Sequence, residues 1–589
     1  MKTSPPGLPP WVRVPMVLAA LALLGGLALS ATLRLLYPHS PAVEQLSSGH
    51  TEAVEMPWRF WEATSGDRLL LQLQVNPFTS RVWTIIPDDH LAVLRINGQA
   101  VPIDKVPLGG LNDWRNGFKI DLSPWLHNGS NELEFVVDNY LGVGGIVFRP
   151  VLGWRRLLVF GALLPWLVLL ARAFRLNRVQ IVILCGSLAV LCCYWSATSW
   201  TSRNYDVKLL GESGHIGYVE TVAEALALPR PDQGWEYFQP PLYYVAGALV
   251  WRWAQWLGIN PPEGLQAFAV ILWLVFLTAS AGTLRLALRR RPDALAVATA
   301  AVGLWPDGVI NSARIGNDSA LCAGAAVASW FMLRWWRSGK RSHFVWMAVF
   351  IAASLLCKSS AMVLVAACGG LLAVRLLSNR RRLRVLTDAA LAGGIIAAGM
   401  VLSLGRNVYY WSHGRMANIL DPSVAILDAN LRVPNSLRNY LPLDVPVFLS
   451  MPWVDSRDDA TGRTNFWNYL LRSSLSGEFS FDGTWHRRIA IFWGVALLWL
   501  VVLVLVRLFD RPFPLAASWR NMPLTLLGAL WLLSILTLRF MHPFSCHQDF
   551  RLVYPLLVPF ILLCVRQGQM PQRLLWAISL GSAAFFVSL

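Results

Sequence analysis

The sequence predicts an α-helical membrane protein that crosses the bilayer many times and carries one all-β domain after its first helix. Two observations predict this class. Of the 589 residues, 55% are hydrophobic and only 14% are charged, whereas soluble domains contain roughly 25% charged residues. The apolar residues also form runs long enough to cross a hydrocarbon layer about 30 Å thick. Together these observations exclude a soluble multidomain protein.

The first apolar run, at 14–36, is predicted to be an uncleaved anchor, because it is too long for the core of a signal peptide. It defines an N-terminal membrane segment, 1–37, that begins in the cytoplasm. The polar region that follows, 38–150, contains short strand-like runs separated by turn signals such as Asn97 and Gly98. This pattern is typical of an all-β sandwich.

Two stretches of this region, "IPDDHLAVLRINGQAVP" and "IDLSPWLHNGSNELEFVVDN", resemble jelly-roll carbohydrate-binding modules of the galactose-binding type. The resemblance implies a jelly-roll-like domain that binds sugar. A purely structural sandwich that docks on the membrane part fits the residues equally well, so both interpretations stay open.

From residue 151 onward, apolar runs follow one another closely, and with the anchor they give about thirteen transmembrane helices. The remaining spans are placed near 154–173, 179–199, 265–284, 294–311, 318–336, 343–357, 360–377, 386–404, 489–508, 522–540, 552–567 and 573–589. We divide this part into a transmembrane core, 151–404, an extracytoplasmic loop region, 405–488, and C-terminal transmembrane helices, 489–589.

The apolar run 241–257 decides which loops face outward. Counted as a span, it would place the arginine clusters at 289–291 and 380–382 outside; as an interfacial helix, it leaves every large basic cluster in the cytoplasm. Arg252 and three tryptophans within the run also suit an interface. The loops 200–264 and 405–488 are therefore predicted to share the outer, periplasmic face of a cell inner membrane with the β domain.

The same rule explains the formal net charge of +17, which predicts contact with anionic membrane lipid and no nucleic-acid partner. Nearly all of the eight cysteines lie in or beside apolar runs, and they form no CxxC pair and no metal-ligand spacing. We read them as small apolar side chains. The sequence indicates no cofactor; a divalent metal is conceivable, but no motif points to one.

The outer loop 200–264 carries the residues expected to do chemistry. Asp206 stands just past a span, Glu212 and His215 follow, and Gln239 precedes a "PPLYY" run that contains Tyr243. An acidic residue after a span, a "GH..Y" element and a "PPLYY" run opening a surface helix resemble the GT-C glycosyltransferases. The nearest group is that of the protein O-mannosyltransferases and aminoarabinose lipid A transferases.

Three later elements fit the same family. "ARIGNDSAL" supplies Arg314, Asn317 and Asp318, "LLCKSSAMV" supplies Lys358, and "HQDFRLVYP" supplies Arg551. Two features depart from the family pattern. Two residues interrupt its late Arg-Tyr pair, and "VKLLGES" separates Asp206 from the Gly-His pair. Either an insertion separates them or Glu212 has taken the acidic role; we favour Asp206, because it lies nearer the membrane surface.

The resemblance implies a polyprenyl-phosphate-sugar donor, a lipid, glycan or protein acceptor, and inversion at the anomeric carbon. Such a transfer requires a carboxylate that takes the acceptor proton, here Asp206 or Glu212. It also requires cations that hold the departing phosphate. Lys358 is the strongest candidate for that role, because an ionisable side chain in a tight hairpin between two apolar runs is expected to be functional.

Each candidate also has a structural interpretation. Lys358 could snorkel to the lipid headgroups, Arg314 and Arg551 could be ordinary outer-loop arginines, and Asp318 could cap its helix. His215 is expected to contact substrate or to support the fold rather than to bind metal. Glu478, in the aromatic-rich late loop, is a candidate carboxylate of the acceptor site.

Two other functions compete with a single-sugar transferase. A metal-dependent oligosaccharide transferase or polymerase with a pyrophosphate-linked donor usually pairs acidic residues around its metal, and the first outer loop contains no DxD. A sugar transporter or sensor should show internal repeats and charges within spans. The sequence shows no repeat, and its candidate charges stand at outer span ends, which favours surface chemistry.

Overall fold

The computed structural model describes residues 10–38, 40–45, 51–54, 58–60, 66–87, 89–106, 108–113, 117–140, 144–200, 202–204, 214–378, 382–414, 429–510 and 519–589. Two compact units are present. The first comprises 1–165, 195–204 and 250–265, and the second comprises 166–194, 205–249 and 266–589.

The β domain belongs to the first unit and consists of two antiparallel sheets. The strands are β1 (Ala42–Gln45), β2 (Thr51–Val54), β3 (Trp58–Phe60), β4 (Asp67–Val75), β5 (Val82–Pro87), β6 (His90–Ile96), β7 (Gln99–Ala100), β8 (Phe118–Asp121), β9 (Gly129–Asp138) and β10 (Gly144–Pro150). One sheet has the order β2-β1-β4-β9-β6-β7, and the other has the order β3-β10-β5-β8.

The core of the β domain lies between these sheets and contains side chains from both. Leu71 and Leu133 are paired in register across β4 and β9, while Trp83 and Phe148 stack at 4.0 Å between ring centroids in the smaller sheet. Leu71, Leu133 and Trp83 belong to one buried apolar cluster, and Phe148 packs against it. Alternation along β4 explains the arrangement, because every second side chain points inward.

The helices of the chain are α1 (Pro10–Leu36), α2 (Leu108–Leu111), α3 (Arg156–Ala173), α4 (Arg178–Ala197), α5 (Gly214–Ala225), α6 (Leu242–Leu257), α7 (Pro261–Ala287), α8 (Pro292–Gly303), α9 (Pro306–Ser312), α10 (Asn317–Ser338), α11 (Arg341–Cys357), α12 (Met362–Ser378), α13 (Arg382–Ser412), α14 (Val445–Ser450), α15 (Phe466–Ser476), α16 (Thr484–Asp510), α17 (Met522–Met541), α18 (Leu557–Arg566) and α19 (Gln569–Val587). The protein is therefore a mainly helical, multi-pass membrane protein with an N-terminal β region, as the sequence predicts.

Each predicted span corresponds to a helix or a pair of helices. Nine described segments are long and apolar enough to cross a bilayer, and the pair α8 and α9, bent by 49°, makes a tenth. Three other predicted spans fall short of that length and hydropathy test: α10 has charges near both ends, α11 has only 17 residues, and α19 has several polar residues near its start. The interfacial helix α6, with 16 residues, also falls short.

Two breaks in the helical second unit position polar side chains. Pro306 starts α9 after the bend, so Asp307 lies in the first turn of a short helix. Between α11 and α12, only Lys358 separates the last residue of α11 from the 3-10 turn Ser359–Ala361. A hairpin this short fixes the place from which the Lys358 side chain extends.

Candidate active site

The second unit brings three predicted residues, Lys358, Asp318 and Arg551, into one ion cluster. Lys358 Nζ donates a hydrogen bond to Asp318 Oδ1 at 2.5 Å, and Arg551 Nη1 lies 3.8 Å from Asp318 Oδ2. The Lys358 and Arg551 side chains are 14% and 15% exposed, and Asp318 is 20% exposed. The cluster is therefore largely buried but keeps an opening to its surroundings.

These contacts decide between the interpretations of Asp318 and Lys358. The N-cap of α10 is Gly316, and no side chain caps this helix. Asp318, the second residue of α10, instead directs its carboxylate to the two cations. Lys358 pairs with Asp318, so its ammonium group is held by a carboxylate of the protein.

A second layer of contacts surrounds Arg551 and Arg314. Arg551 Nε lies 2.9 Å from Asp549 Oδ2, and the Asp549 side chain also accepts a hydrogen bond from the Arg551 backbone at 3.2 Å. Arg314 Nη1 donates to Asn311 Oδ1 at 2.9 Å and lies near enough to act electrostatically on Asp318. Three cations thus surround a small group of carboxylates.

Uncharged groups form the wall beside Asp318. The Gly316 backbone donates to the Tyr243 hydroxyl at 3.0 Å, and His215 Nδ1 lies 2.9 Å from the Tyr244 hydroxyl. A Cβ atom at Gly316 would lie 3.2 Å from the His215 ring, so glycine permits the close approach. Burial lowers the pKa of His215 from 6.5 to about 3, and the neighbouring Lys358 cation contributes to the same shift. His215 is therefore neutral near pH 7.

Asn317 and Gln239 connect the first outer loop to this wall. Asn317 Nδ2 donates to Gln239 Oε1 at 3.2 Å and to the Cys357 carbonyl at 3.1 Å. Asn317 is fully buried and Gln239 is 9% exposed. These bonds hold the residue before Asp318 against the residue before Lys358, so they position the ion pair.

The segment that carries Gln239 is held by a residue the sequence analysis did not single out. Arg406, on α13, donates to the Tyr218 hydroxyl at 2.7 Å and to the Gln239 and Pro229 carbonyls at 3.2 Å each. In the sequence, Arg406 looks like any other positive residue near a helix end, so the sequence offered no signal for this role.

Sequence reasoning also missed Asp307 and Asp549. Both are buried, at 0% and 1% exposure. Neither carboxylate oxygen of Asp307 accepts a hydrogen bond within the described part of the chain, and the nearby Tyr554 hydroxyl makes none either. Asp549 stands two residues before Arg551 in "HQDFRLVYP", where it could have been noticed. Asp307 follows a proline inside an apolar run, and only an unexpected charge within a span marked it.

Three other predicted residues lie outside this contact network or outside the described residues. Asp206 and Glu212 fall in 205–213, which is not among the described residues. Glu478 follows α15 and accepts a hydrogen bond from the Tyr469 hydroxyl. Within the described ranges, no group of three or more His, Cys, Asp or Glu side chains has an arrangement that could hold a metal ion.

The cluster is suited to bind an anion. Lys358 has three N–H donors and a single hydrogen-bonded partner among the described residues, Asp318. Charge-assisted donors of Lys and Arg are the usual partners of phosphate oxygens. A phosphate group approaching this opening would meet Lys358, Arg551 and Arg314 together.

No model of a known protein family matches this chain, and no curated protein matches it. Among solved structures, the chain is similar to ArnT from Cupriavidus metallidurans in the apo state. The two share 15% identity over 68% of this chain and 75% of that chain, with a TM-score of 0.33. It is also similar to the arabinosyltransferase EmbB from Mycobacterium smegmatis, with 13% identity over 98% of this chain and 63% of that chain and a TM-score of 0.30. Neither likeness is close enough to support a conclusion about activity.

Proposed function

We propose that this protein is an inverting glycosyltransferase that moves a single sugar from a polyprenyl-phosphate donor to a lipid, glycan or protein acceptor on the extracytoplasmic face. The observation that carries the proposal is the ion cluster of Lys358, Asp318 and Arg551, which lies at adjoining ends of apolar helices. A lipid-linked phosphate in the headgroup layer is the anion that such a place would meet.

The reaction explains why several cations would be gathered at one point. In the donor, the phosphate joins the sugar to the lipid and carries one negative charge. When the bond from the anomeric carbon to the phosphate oxygen breaks, polyprenyl phosphate leaves with a second negative charge. Preorganised donors in a water-poor site stabilise charge that develops in this way, and losing one of them typically costs about 10²–10³-fold in rate. Lys358 and Arg551 would supply these donors, with Arg314 adding positive potential.

The acceptor hydroxyl attacks the anomeric carbon from the side opposite the leaving phosphate, so the configuration at that carbon inverts. Its proton passes to a carboxylate acting as general base. We assign this role to Asp206, with Glu212 as the alternative residue in the same loop. Neutral His215, Tyr243, Asn317 and Gln239 would support the wall beside the phosphate.

The acceptor side is assigned to the loop region after α13. Glu478 would accept hydrogen bonds from an acceptor hydroxyl there, since a carboxylate offers acceptor oxygens only. Asp307, whose buried carboxylate accepts no hydrogen bond from the described residues, is a further polar group near Arg314 and Arg551. In the proposed reaction the cationic side chains, and not a metal, would offset the phosphate charge.

The proposal is tested with purified protein in liposomes that contain polyprenyl-phosphate-linked hexoses or pentoses, by following donor loss and polyprenyl-phosphate release. Lys358→Ala should lower turnover by about 10²–10³-fold, and Lys358→Arg should retain part of it. Lys340→Ala is the matched control, because Lys340 is an exposed lysine that precedes α11.

Equal turnover in Lys358→Ala and Lys340→Ala would place the phosphate elsewhere. No consumption of any donor by monodisperse wild-type protein would reject the transferase. A chelator separates the remaining alternative: loss of activity on its addition, with rescue by Mg²⁺ or Mn²⁺, would favour the metal-dependent enzyme with a pyrophosphate-linked donor.

A further inference from the structure

The helix α15 lies between α9 and the segment that carries Arg551. Ser473 Oγ, on α15, accepts a hydrogen bond at 3.0 Å from the backbone N–H of Phe550, the residue before Arg551. On another side, Trp305 Nε1 donates to the Ser474 carbonyl, and Trp305 directly precedes α9. One helix of 11 residues therefore contacts both of the segments that lead to arginines of the candidate site.

The turn after α15 brings an aromatic ring to Arg314. Gly477 ends the helix with φ 62°, a backbone conformation that glycine adopts without a steric cost. Its N–H donates to a carbonyl in the last turn of α15 at 2.8 Å, and the Tyr469 hydroxyl donates to the Glu478 carboxylate. Both bonds fix the turn to the helix. Phe479 comes next, and Cζ of Arg314 lies over its ring, 5.4 Å from the ring centroid.

The ring of Phe479 and an amide together restrict the Arg314 side chain. Arg314 Nη1 donates to Asn311 Oδ1 at 2.9 Å, and the guanidinium acts electrostatically on Asp318 and Asp549. A cation over an aromatic face is attracted by the negative charge of the π system. A long arginine side chain otherwise samples many rotamers, so the ring helps to keep the guanidinium where it faces the cluster.

We infer that Phe479 is a positioning residue for the proposed transfer and that it acts through Arg314. Its ring holds the guanidinium toward the place where the donor phosphate would bind, and α15 fixes this ring relative to Arg551. This role rests on the proposed function, since the position of Arg314 matters to turnover only if the cluster receives a phosphate. The contact itself does not depend on that function.

A different role for Phe479 would be a platform for the transferred sugar. Sugar rings present C–H groups that pack on aromatic faces, and such packing needs no guanidinium. The geometry favours the positioning role, because the Arg314 guanidinium already lies over the ring and the side chain is only half-buried. The two roles predict different behaviour when Arg314 is replaced.

The test is a double-mutant cycle between Phe479→Leu and Arg314→Met, on the purified full chain in liposomes that contain polyprenyl-phosphate-linked hexoses or pentoses. Phe479→Leu should lower kcat/KM for the donor by about three- to tenfold, because the guanidinium loses the attraction of the ring. Phe479→Tyr keeps the ring and should restore most of the loss. In the Arg314→Met background, Phe479→Leu should change kcat/KM by less than about twofold, since no guanidinium remains for the ring to hold.

Melting temperatures of the same four proteins test the contact without any donor. Phe479→Leu should lower the melting temperature more in the wild-type background than in the Arg314→Met background. Phe481→Leu is the matched control, because Phe481 packs against Trp453 and Phe585. Its effects should be the same with and without Arg314→Met. If Phe479→Leu does not fold, Phe479→Met takes its place in the cycle, since it also lacks a ring.

Equal losses from Phe479→Leu in both backgrounds, in kcat/KM and in melting temperature, would overturn the inference. A loss that persists with Arg314→Met and varies with the donor sugar would overturn it as well, and would assign the ring to the sugar. Coupling in melting temperature while Lys358→Ala leaves turnover unchanged would instead reject the proposed function. The failure of the positioning role and the failure of the proposed function are thus distinguished.

Discussion

Two buried ion clusters among the described residues, one around Arg149 and one around Lys358, differ in how completely their cations are bonded. In the first unit, Arg149 donates to a hydroxyl and two backbone carbonyls and also pairs with Glu263. In the second unit, Lys358 makes one hydrogen bond, to Asp318, within the described residues. Arg149 and Glu263 are 7% and 3% exposed, whereas Lys358, Arg551 and Asp318 are 14–20% exposed.

This difference is the one expected between a charge that holds a fold and the charges that we propose receive an anion. A buried ion needs a nearly complete set of partners, because removing it from water costs several kcal/mol. The terminal nitrogens of Arg149 meet that requirement with protein atoms. Lys358 keeps two N–H groups that the described protein atoms do not bond, at an opening where a phosphate could reach them.

Arg149→Met should produce the largest effect, and it should act on folding. The substitution leaves the Glu263 carboxylate buried without its cation, and breaking a buried pair in this way typically costs about 3–5 kcal/mol. Thermal unfolding in detergent should show a large fall in melting temperature or a loss of folded protein. Arg149→Met combined with Glu263→Gln should recover much of the loss, because no unpaired charge then remains.

Arg95→Ala is the control for this experiment. Arg95 pairs with Glu134 at 3.0 Å on the surface of the β domain and is 41% exposed, so its loss should cost only about 0–1 kcal/mol. If Arg149→Met unfolds no more readily than Arg95→Ala, the Arg149 cluster does not hold the fold and the comparison fails.

Asp318→Asn should produce the next largest effect, and it should act on turnover while leaving the fold intact. The Asp318 carboxylate pairs with both Lys358 and Arg551, so a donor phosphate would have to compete with it for these cations. Asparagine keeps the shape but removes the charge. We expect the donor KM to fall or stay constant while kcat drops about tenfold, because the two cations lose the group that spaces them.

Asp293→Asn is the matched control, since Asp293 also lies in the first turn of a helix, α8, but is exposed. It should leave both constants unchanged. A rise in donor KM with unchanged kcat in Asp318→Asn would mean that the carboxylate assists donor binding, contrary to its role as a competing partner.

Much of the architecture could be predicted from the sequence, because long apolar runs and alternating strand patterns are local signals. Every predicted span corresponds to a helix or a pair of helices, although α10, α11 and α19 fail the test of length and hydropathy that nine described segments pass. The strand-like runs predicted within 38–150 correspond to strands such as β4 and β9. Positions near helix ends also drew attention to Lys358, Asp318 and Arg551, which the structure brings together.

The contacts that complete each cluster could not be predicted, because they join residues far apart in the chain. Arg149 stands in an ordinary strand, and its partners are Tyr37, just after α1, Trp195 on α4 and Glu263 on α7. Asp307 lies just after a bend, next to Trp305, which donates to the Ser474 carbonyl on α15. No spacing in the sequence encodes these approaches.

The smallest predicted effect is on the pH dependence of stability. It concerns the neutral His215, which lies in the wall beside the ion cluster of Lys358, Asp318 and Arg551. Burial, assisted by the Lys358 cation, lowers the pKa of His215 from 6.5 to about 3. Below about pH 6.5 the unfolded chain therefore binds a proton at His215 that the folded protein does not bind. The free energy of unfolding falls as the pH falls from about 6.5 toward 3. The loss should be about 1 kcal/mol for each pH unit below that point.

His215→Gln retains an amide that can bond the Tyr244 hydroxyl and cannot titrate, so it should remove this part of the pH dependence. His127→Gln, at an exposed histidine of the β domain, should leave it in place. Melting temperatures measured between about pH 4.5 and 7 decide the matter. Parallel curves for wild type and His215→Gln would mean that His215 takes up its proton as readily in the folded protein as in the unfolded chain. The His215 side chain, in the wall beside Lys358, would then be more open to water than its 6% exposure indicates.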